Sequence, residues 1–285
     1  GCAWSPRRSG RTGPRAELCR RLLCQRRQVK MARVAAATFR FQGELNDFLD
    51  AARRGHAFQF RFAAPAPVRH LVETLGVPHT EIDRILLNGR ARGLEAPVAH
   101  GDCLEIFPWQ PGVPASVRPP PPVPPRFVVD AHLARLAKYL RWLGFDALYT
   151  NDMGDRWIAR RAALEDRRVL TRDRRLLMRR ELRFGCYVRA THSGQQVQRL
   201  AARLQLCPQS SPFSRCVECN GLLQSAPPAL VKQQVPRAVQ QLESDFLACP
   251  SCGRVYWRGS HYAAMRRRLA ELCPGVLNPD RAGRE

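Results

Sequence analysis

The chain has 285 residues, 45% of them hydrophobic, and a formal net charge of +23; this leaves room for two or three domains and excludes collagenous and wholly disordered classes. No apolar run approaches the roughly 18 to 20 residues of a membrane span. The charge is uneven: residues 1–30 carry nine basic side chains and one acidic, residues 31–110 nine of each, and residues 126–207 eighteen against eight. A basic folded segment points to a polyanionic partner such as RNA or DNA, although arginine bias in a genome produces the same balance without a partner.

The chain opens on Gly1 and its first methionine is Met31. The stretch up to residue 35 is Arg-rich and broken by Pro and Gly, so it is expected to be a basic leader, disordered or not native, outside the fold. Thr38–Phe41 and Phe58–Phe62 then alternate apolar and polar residues as half-buried strands do, and Pro67–Leu75 reads as a helix closed by Gly76. Ile85–Asn88 runs into a turn at Gly89, and Asp102–Phe107 alternates again. Strand, strand, helix and further strands over 36–110 are the order of a β-grasp domain, similar to the ubiquitin-related carriers. Those end in Gly-Gly, whereas this unit runs into Pro108-Trp109-Gln110-Pro111-Gly112, which favours docking to a protein partner over conjugation. Residues 111–125 include eight prolines and are expected to form an extended linker.

From residue 126 the pattern becomes alternating α/β. Phe127-Val128-Val129 ends on Asp130, and a helix follows with Leu133, Leu136, Leu140 and Leu143 at helical spacing and Gly144 as its stop. A strand over Ala147–Tyr149, an acidic loop with Asp152 and Asp155, and a helix through Trp157, Ile158 and Leu164 come next. Val169-Leu170 precedes Asp173; a helix over Leu176–Leu182, a strand over Cys186–Val188 and a helix over Gln195–Leu206 complete the unit. Four strands separated by helices imply a parallel sheet covered on both faces. Aspartates at the carboxyl ends of such strands share one edge, where open α/β sheets place their active sites. Carboxylates there suit Mg²⁺ or Mn²⁺ and phosphodiester hydrolysis. Each aspartate also precedes a helix, where Asp is a favoured N-cap. A phosphatase of the haloacid dehalogenase type wants an aspartate two positions after the first, and His132 stands there.

Of eleven cysteines, four form Cys216-x-x-Cys219 and Cys249-x-x-Cys252. Four thiolates in two knuckles fit a structural Zn²⁺ site with no position left for water, and such usage favours a reducing, cytoplasmic setting. The 29 residues between the pairs require an inserted loop or helix around Pro236–Leu247. Val255-Tyr256-Trp257 reads as an aromatic strand, and Gly259-Ser260-His261-Tyr262 opens a helix carrying Arg266, Arg267 and Arg268. These rings either pack the unit or stack bases. Cys103, Cys186, Cys207 and Cys273 have no partner at ligand spacing and are expected as unpaired thiols.

Phe127-Val128-Val129-Asp130, the Leu133–Gly144 helix, Gly144-Phe145-Asp146 and Leu170-Thr171-Arg172-Asp173 together resemble the Mut-seven C-terminal RNase domain family, PIN-like nucleases fused to a zinc ribbon. The β-grasp unit resembles the ubiquitin-like domain that accompanies that family. The resemblance implies a PIN-like nuclease domain over 126–207, a zinc ribbon with its C-terminal helix over 208–273 and a tail over 274–285. It further implies a divalent-metal-dependent ribonuclease acting on RNA. Asp130 and Asp173 match its metal-binding acids, and its loop acids fall on Asp152 and Asp155; Arg156 stands where a further acid is expected. A noncatalytic RNA-binding or ribosome-associated adaptor is the alternative.

Overall fold

The computed structural model describes residues 33–109, 117 and 122–277. Residues 1–32 of the expected leader, most of the proline-rich linker and the tail beyond residue 277 lie outside the described residues; Arg33–Ala35, expected in the leader, instead open the first strand, because pairing with the neighbouring strand extends it back to Arg33. Among the described residues no helix is long and apolar enough to cross a membrane.

The first domain consists of β1 (Arg33–Phe41), β2 (Phe58–Ala64), β3 (Ala66–Pro67), α1 (Val68–Thr74), β4 (Ile82–Leu87), β5 (Arg90–Arg92), β6 (Pro97–Val98) and β7 (Cys103–Pro108). Five strands form one sheet in the order β2-β1-β7-β4-β5. β1 runs parallel to β7 in the centre, and antiparallel hairpins flank them, which is the β-grasp arrangement. Alternation along β1 buries Ala35, Ala37, Phe39 and Phe41 on one face. α1 lays Val68, Leu71 and Val72 onto that face. The β4–β5 hairpin turns on Asn88 and Gly89, both at positive φ (51° and 74°), the conformation that matches strand twist in tight hairpins.

The second domain consists of β8 (Phe127–Val129), α2 (Ala134–Trp142), β9 (Ala147–Leu148), α3 (Asp155–Glu165), β10 (Arg168–Thr171), α4 (Arg174–Leu177), β11 (Gly185–Tyr187) and α5 (Ser193–Leu204). Its four strands are all parallel, in the order β11-β10-β8-β9. Phe127 and Val129 point to the α2–α5 side, and Val128 points to the opposite core with Ile158, Val169 and Leu176. Strands buried on both faces read as unbroken apolar runs, which is how Phe-Val-Val presents itself. One expected helix is shorter than its leucines suggest: instead of continuing to Leu182, α4 ends at Leu177. The Leu177 and Leu182 carbonyls are engaged by Thr80 and His79 of the first domain, so tertiary partners replace helical ones.

The remaining residues form a cysteine module: β12 (Gln224–Ser225), α6 (Pro228–Gln234), α7 (Arg237–Leu242), β13 (Leu247–Ala248), β14 (Val255–Tyr256) and α8 (Ser260–Leu272). The strands form an antiparallel sheet in the order β12-β13-β14, and α6 and α7 are the insertion between the two cysteine pairs. α8 returns to the α2–α5 core through Leu269 and Leu272. Cys207 and Cys273, expected as unpaired thiols, are joined by a disulfide across 66 residues of chain; packing of α8 against the end of α5 brings them together. Gly144 permits the close approach of the segment leading into this module, since a side chain there would collide with the Ser211 carbonyl and its φ is +88°.

The first two domains share a polar, buried contact. Glu81, 1% exposed, accepts from the Tyr187 backbone N–H at 2.6 Å and from Arg203 at 3.1 Å. Arg189 reaches Glu44, Asp47 and Glu81, and its guanidinium lies over the Phe48 ring. Opposite charges around Arg203 raise its pKa against the opposing effect of burial.

Candidate active site and metal centre

Register brings both aspartates to one edge of the sheet: Asp130 directly follows β8, and Asp173 lies two residues past the end of β10. β8 and β10 are neighbours with Val129 opposite Leu170, and the Asp130 N–H donates to the Leu170 carbonyl at 3.0 Å. Asp130 is half-buried and Asp173 exposed. Between them stands Thr171, fully buried. Its hydroxyl donates to Asp130 Oδ2 at 2.5 Å and accepts from the Asp173 N–H at 2.9 Å. One side chain therefore ties both acidic positions together. Each aspartate also caps a helix: Asp130 Oδ1 accepts from the Ala131 N–H and Asp173 Oδ1 from the Arg175 N–H, both at 2.7 Å. An ionised carboxylate has about four acceptor sites, so capping leaves each with oxygen lone pairs directed elsewhere.

Asp152 lies on the exposed β9–α3 turn and Asp155 is the first residue of α3, also exposed. Neither joins the Asp130–Thr171–Asp173 hydrogen-bond set. Among the described residues, the one group of three or more metal-capable side chains that converges is the cysteine quartet. Tyr149 organises the same edge, its hydroxyl donating to Asn151 Oδ1 at 2.5 Å and lying 3.1 Å from the Ala131 carbonyl. Beyond Asp130, a groove of about 480 Å³ is lined by His132, Arg135, His192 and Arg268, a cationic flank to an acidic pair.

Cys216, Cys219, Cys249 and Cys252 place their Sγ atoms within 4.8 Å of one another, with Cys216–Cys252 at 3.6 Å and Cys219–Cys249 at 3.3 Å. Four sulfurs around a tetrahedral Zn²⁺ at about 2.3 Å sit roughly 3.8 Å apart, so the donor set fits that ion. Burial pushes the Cys216 thiol up, but hydrogen bonds from Tyr256 and from the backbone hold it at about 6. Cys219 is pushed up to about 12 by burial and by its three neighbouring sulfurs. Four crowded thiols resist ionising together without a cation, and a divalent ion reverses that preference.

The quartet is fixed to the parallel sheet. Arg141 donates to the Val217 and Glu218 carbonyls at 2.8 and 2.7 Å. Asn220 donates to Asp146 at 2.7 Å and accepts from the Ala147 N–H at 2.9 Å. Asp146 also pairs with both terminal nitrogens of Arg167 at 2.7 and 2.8 Å. Burial opposes ionisation of Asp146, but these donors win and hold its carboxyl below the ordinary value.

The Mut7-C RNAse domain family matches residues 125–269. The chain belongs to this family. Its Mut7-C span runs from just before β8 into α8, so the aspartate edge and the quartet fall inside one match. The Mut7-C ubiquitin family matches residues 34–112, the β-grasp domain, in the order expected. No curated protein matches the chain. Three residues that organise the Mut7-C site escape a sequence reading: Thr171, Tyr149 and Asn220. Of these, only Thr171 carries a local signal, a hydroxyl two positions before a strand-end aspartate.

Proposed function

We propose that this Mut7-C chain is a divalent-metal-dependent ribonuclease with a PIN-like domain, steadied by a zinc ribbon and preceded by a β-grasp domain that docks on it. The observation that carries the reading is Thr171, whose one buried hydroxyl at a strand edge joins the Asp130 carboxylate to the backbone N–H of Asp173. Asp130 and Asp173 would hold Mg²⁺ or Mn²⁺, with Asp152 or Asp155 completing the set from the β9–α3 turn. A bound ion of this kind activates water and stabilises charge on the phosphate. The chain's own residues do the rest: Thr171 fixes the orientation of Asp130, the helix caps fix one oxygen of each aspartate, and the cationic flank attracts the RNA backbone. Zn²⁺ in the cysteine quartet is structural, since sulfur takes all four positions. The reading assigns residues 36–110, 126–207 and 208–273 to the three units.

A second reading has one observation in its favour: both aspartates do cap helices, as they would in a noncatalytic RNA-binding adaptor. The test incubates residues 31–285 with labelled single-stranded and structured RNA in Mn²⁺, Mg²⁺ or neither, comparing wild type with Asp130→Asn and Asp173→Asn. Cleavage that needs metal and is lost in both variants supports the nuclease. RNA retained without cleavage supports the adaptor, and cleavage untouched by Asp130→Asn refutes the site.

A further inference from the structure

The cysteine module opens onto a cleft of about 700 Å³, within the size range of ligand pockets and adjoining the quartet through Tyr256, whose hydroxyl lies 3.0 Å from the Cys216 sulfur. Its walls come from the end of α2, the β12–β14 sheet, the α6–α7 insertion and the start of α8. Six aromatic residues line it: Trp142, Phe213, Phe246, Tyr256, Trp257 and Tyr262. All six are only partly buried; Trp142 and Phe213 also pack against the α2–α5 core, whereas Phe246, Tyr256, Trp257 and Tyr262 are not part of that core. Phe213 and Tyr262 lie 4.7 Å apart, centroid to centroid, at 52°. Trp142 contributes an indole N–H, shut off from solvent, for which no described residue is the acceptor.

The charge in the cleft has one sign to spare. Arg215, Lys232 and Arg258 line it against a single acid, Asp245, which pairs with Arg258 at 3.6 Å. Lys232 is exposed on α6. Arg215 is engaged by the Gly144 and Asn220 carbonyls, so Lys232 is the cation that faces the cleft without such a partner. Part-exposed rings beside an exposed cation are what an unpaired nucleobase and its phosphate require: the base stacks, and the backbone meets positive charge. An uncharged apolar partner would leave that cation unused.

One helix connects this cleft with the aspartate edge. Tyr262 and Met265 of α8 line the cleft, and Arg268 of the same helix lines the groove beside His132 and His192. The six-residue step from Tyr262 to Arg268 spans about 9 Å, and the exposed Arg266 and Arg267 lie along it. We propose that the cleft seats an unpaired base of single-stranded RNA, and that α8 carries the strand from there to the aspartate edge. The cleft thereby selects unpaired RNA on one side of the cleavage position. The proposal rests on the reading that this chain acts on RNA, but not on its cleaving RNA.

The test uses the full chain carrying Asp130→Asn, so that no probe is consumed, and a short fluorescein-labelled single-stranded RNA followed by anisotropy. Trp257→Ala is expected to weaken binding roughly tenfold, the loss of about one stacked base, and Trp257→Phe to restore most of it. Lys232→Glu, at an exposed position that leaves packing alone, is expected to weaken binding and to lower the salt slope by about one. The same sequence as a duplex should show no dependence on Trp257. Affinity within twofold of the parent for both Trp257→Ala and Lys232→Glu overturns the proposal, as does the absence of RNA binding altogether. Binding that depends on Trp257 in a chain whose wild type cleaves nothing leaves the cleft standing and refutes the nuclease. Cleavage with Trp257-independent binding does the reverse.

Discussion

Thr171→Val removes the hydroxyl that joins the two aspartates while nearly preserving shape. In the wild type that hydroxyl donates to a carboxylate at 2.5 Å and accepts from a backbone N–H at 2.9 Å, in a fully buried position. A hydrogen bond to a charged group contributes about 1.5–3 kcal/mol, and a buried donor left without its acceptor costs more. Thr171→Val should therefore destabilise the chain by about 2–3 kcal/mol, read as a lowered urea midpoint at unchanged m-value. The functional effect follows from orientation: groups that position metal ligands are worth roughly 10–100-fold in metal affinity or activity. Cleavage measured across a Mn²⁺ titration should need more metal and reach a lower maximum. Thr171→Ser keeps the hydroxyl and should keep the activity. Activity of Thr171→Val within twofold of wild type, or equal damage from Thr171→Ser, would refute the assignment of Thr171 as the residue that positions Asp130.

Glu81→Gln leaves Arg203 with Glu44 and Arg189 with Glu44 and Asp47, so neither charge is stranded; the loss of charge-assisted hydrogen bonds is expected to cost about 1.5–3 kcal/mol, and a change below about 1 kcal/mol in urea unfolding would show that the domain contact is not held by this charge. Asp146 has a depressed carboxyl pKa, so its contribution is complete above the ordinary carboxylate value of about 3.9 and is lost as pH falls through the lower folded value. Stability followed from neutral pH to about pH 3 should fall steeply in that acid limb, and Asp146→Asn should flatten it while lowering stability at neutral pH. Protein purified without chelator should carry about one zinc per chain by elemental analysis. Cys219→Ser should lose it, with faster amide exchange in β12–β14 and unchanged exchange in β1–β7; a zinc-free wild type would refute the metal centre.

What was legible in the sequence were features whose chemistry is local. Apolar runs that lead into aspartates mark where Asp130 and Asp173 stand, and two Cys-x-x-Cys pairs announce the cluster in which their four sulfurs meet. The alternation of β1 and the leucine spacing of α2 likewise declare their elements. Thr171 was not legible, because a threonine in a strand is ordinary until register sets it between two acids. The length of α4 was not either, since its continuation is cancelled by His79 and Thr80 from nearly a hundred positions away. Cys207 and Cys273 meet only after α8 has packed onto α5. Nothing around Glu81 in the sequence marks it for burial, and its partners Tyr187 and Arg203 lie more than a hundred positions away.

The Glu81 contact with Tyr187 has one more implication. β11 is an end strand of the parallel sheet, and such strands offer unpaired N–H groups to any extended chain that passes. Here one of those donors is already spent on a carboxylate from the neighbouring domain. The β-grasp domain thus serves as a guard rail: it makes the sheet end unattractive to a passing strand of another copy. A fragment starting at residue 126 would lose that guard, so sluggish or clumped behaviour of such a truncation would report an uncovered sheet edge rather than a defective catalyst.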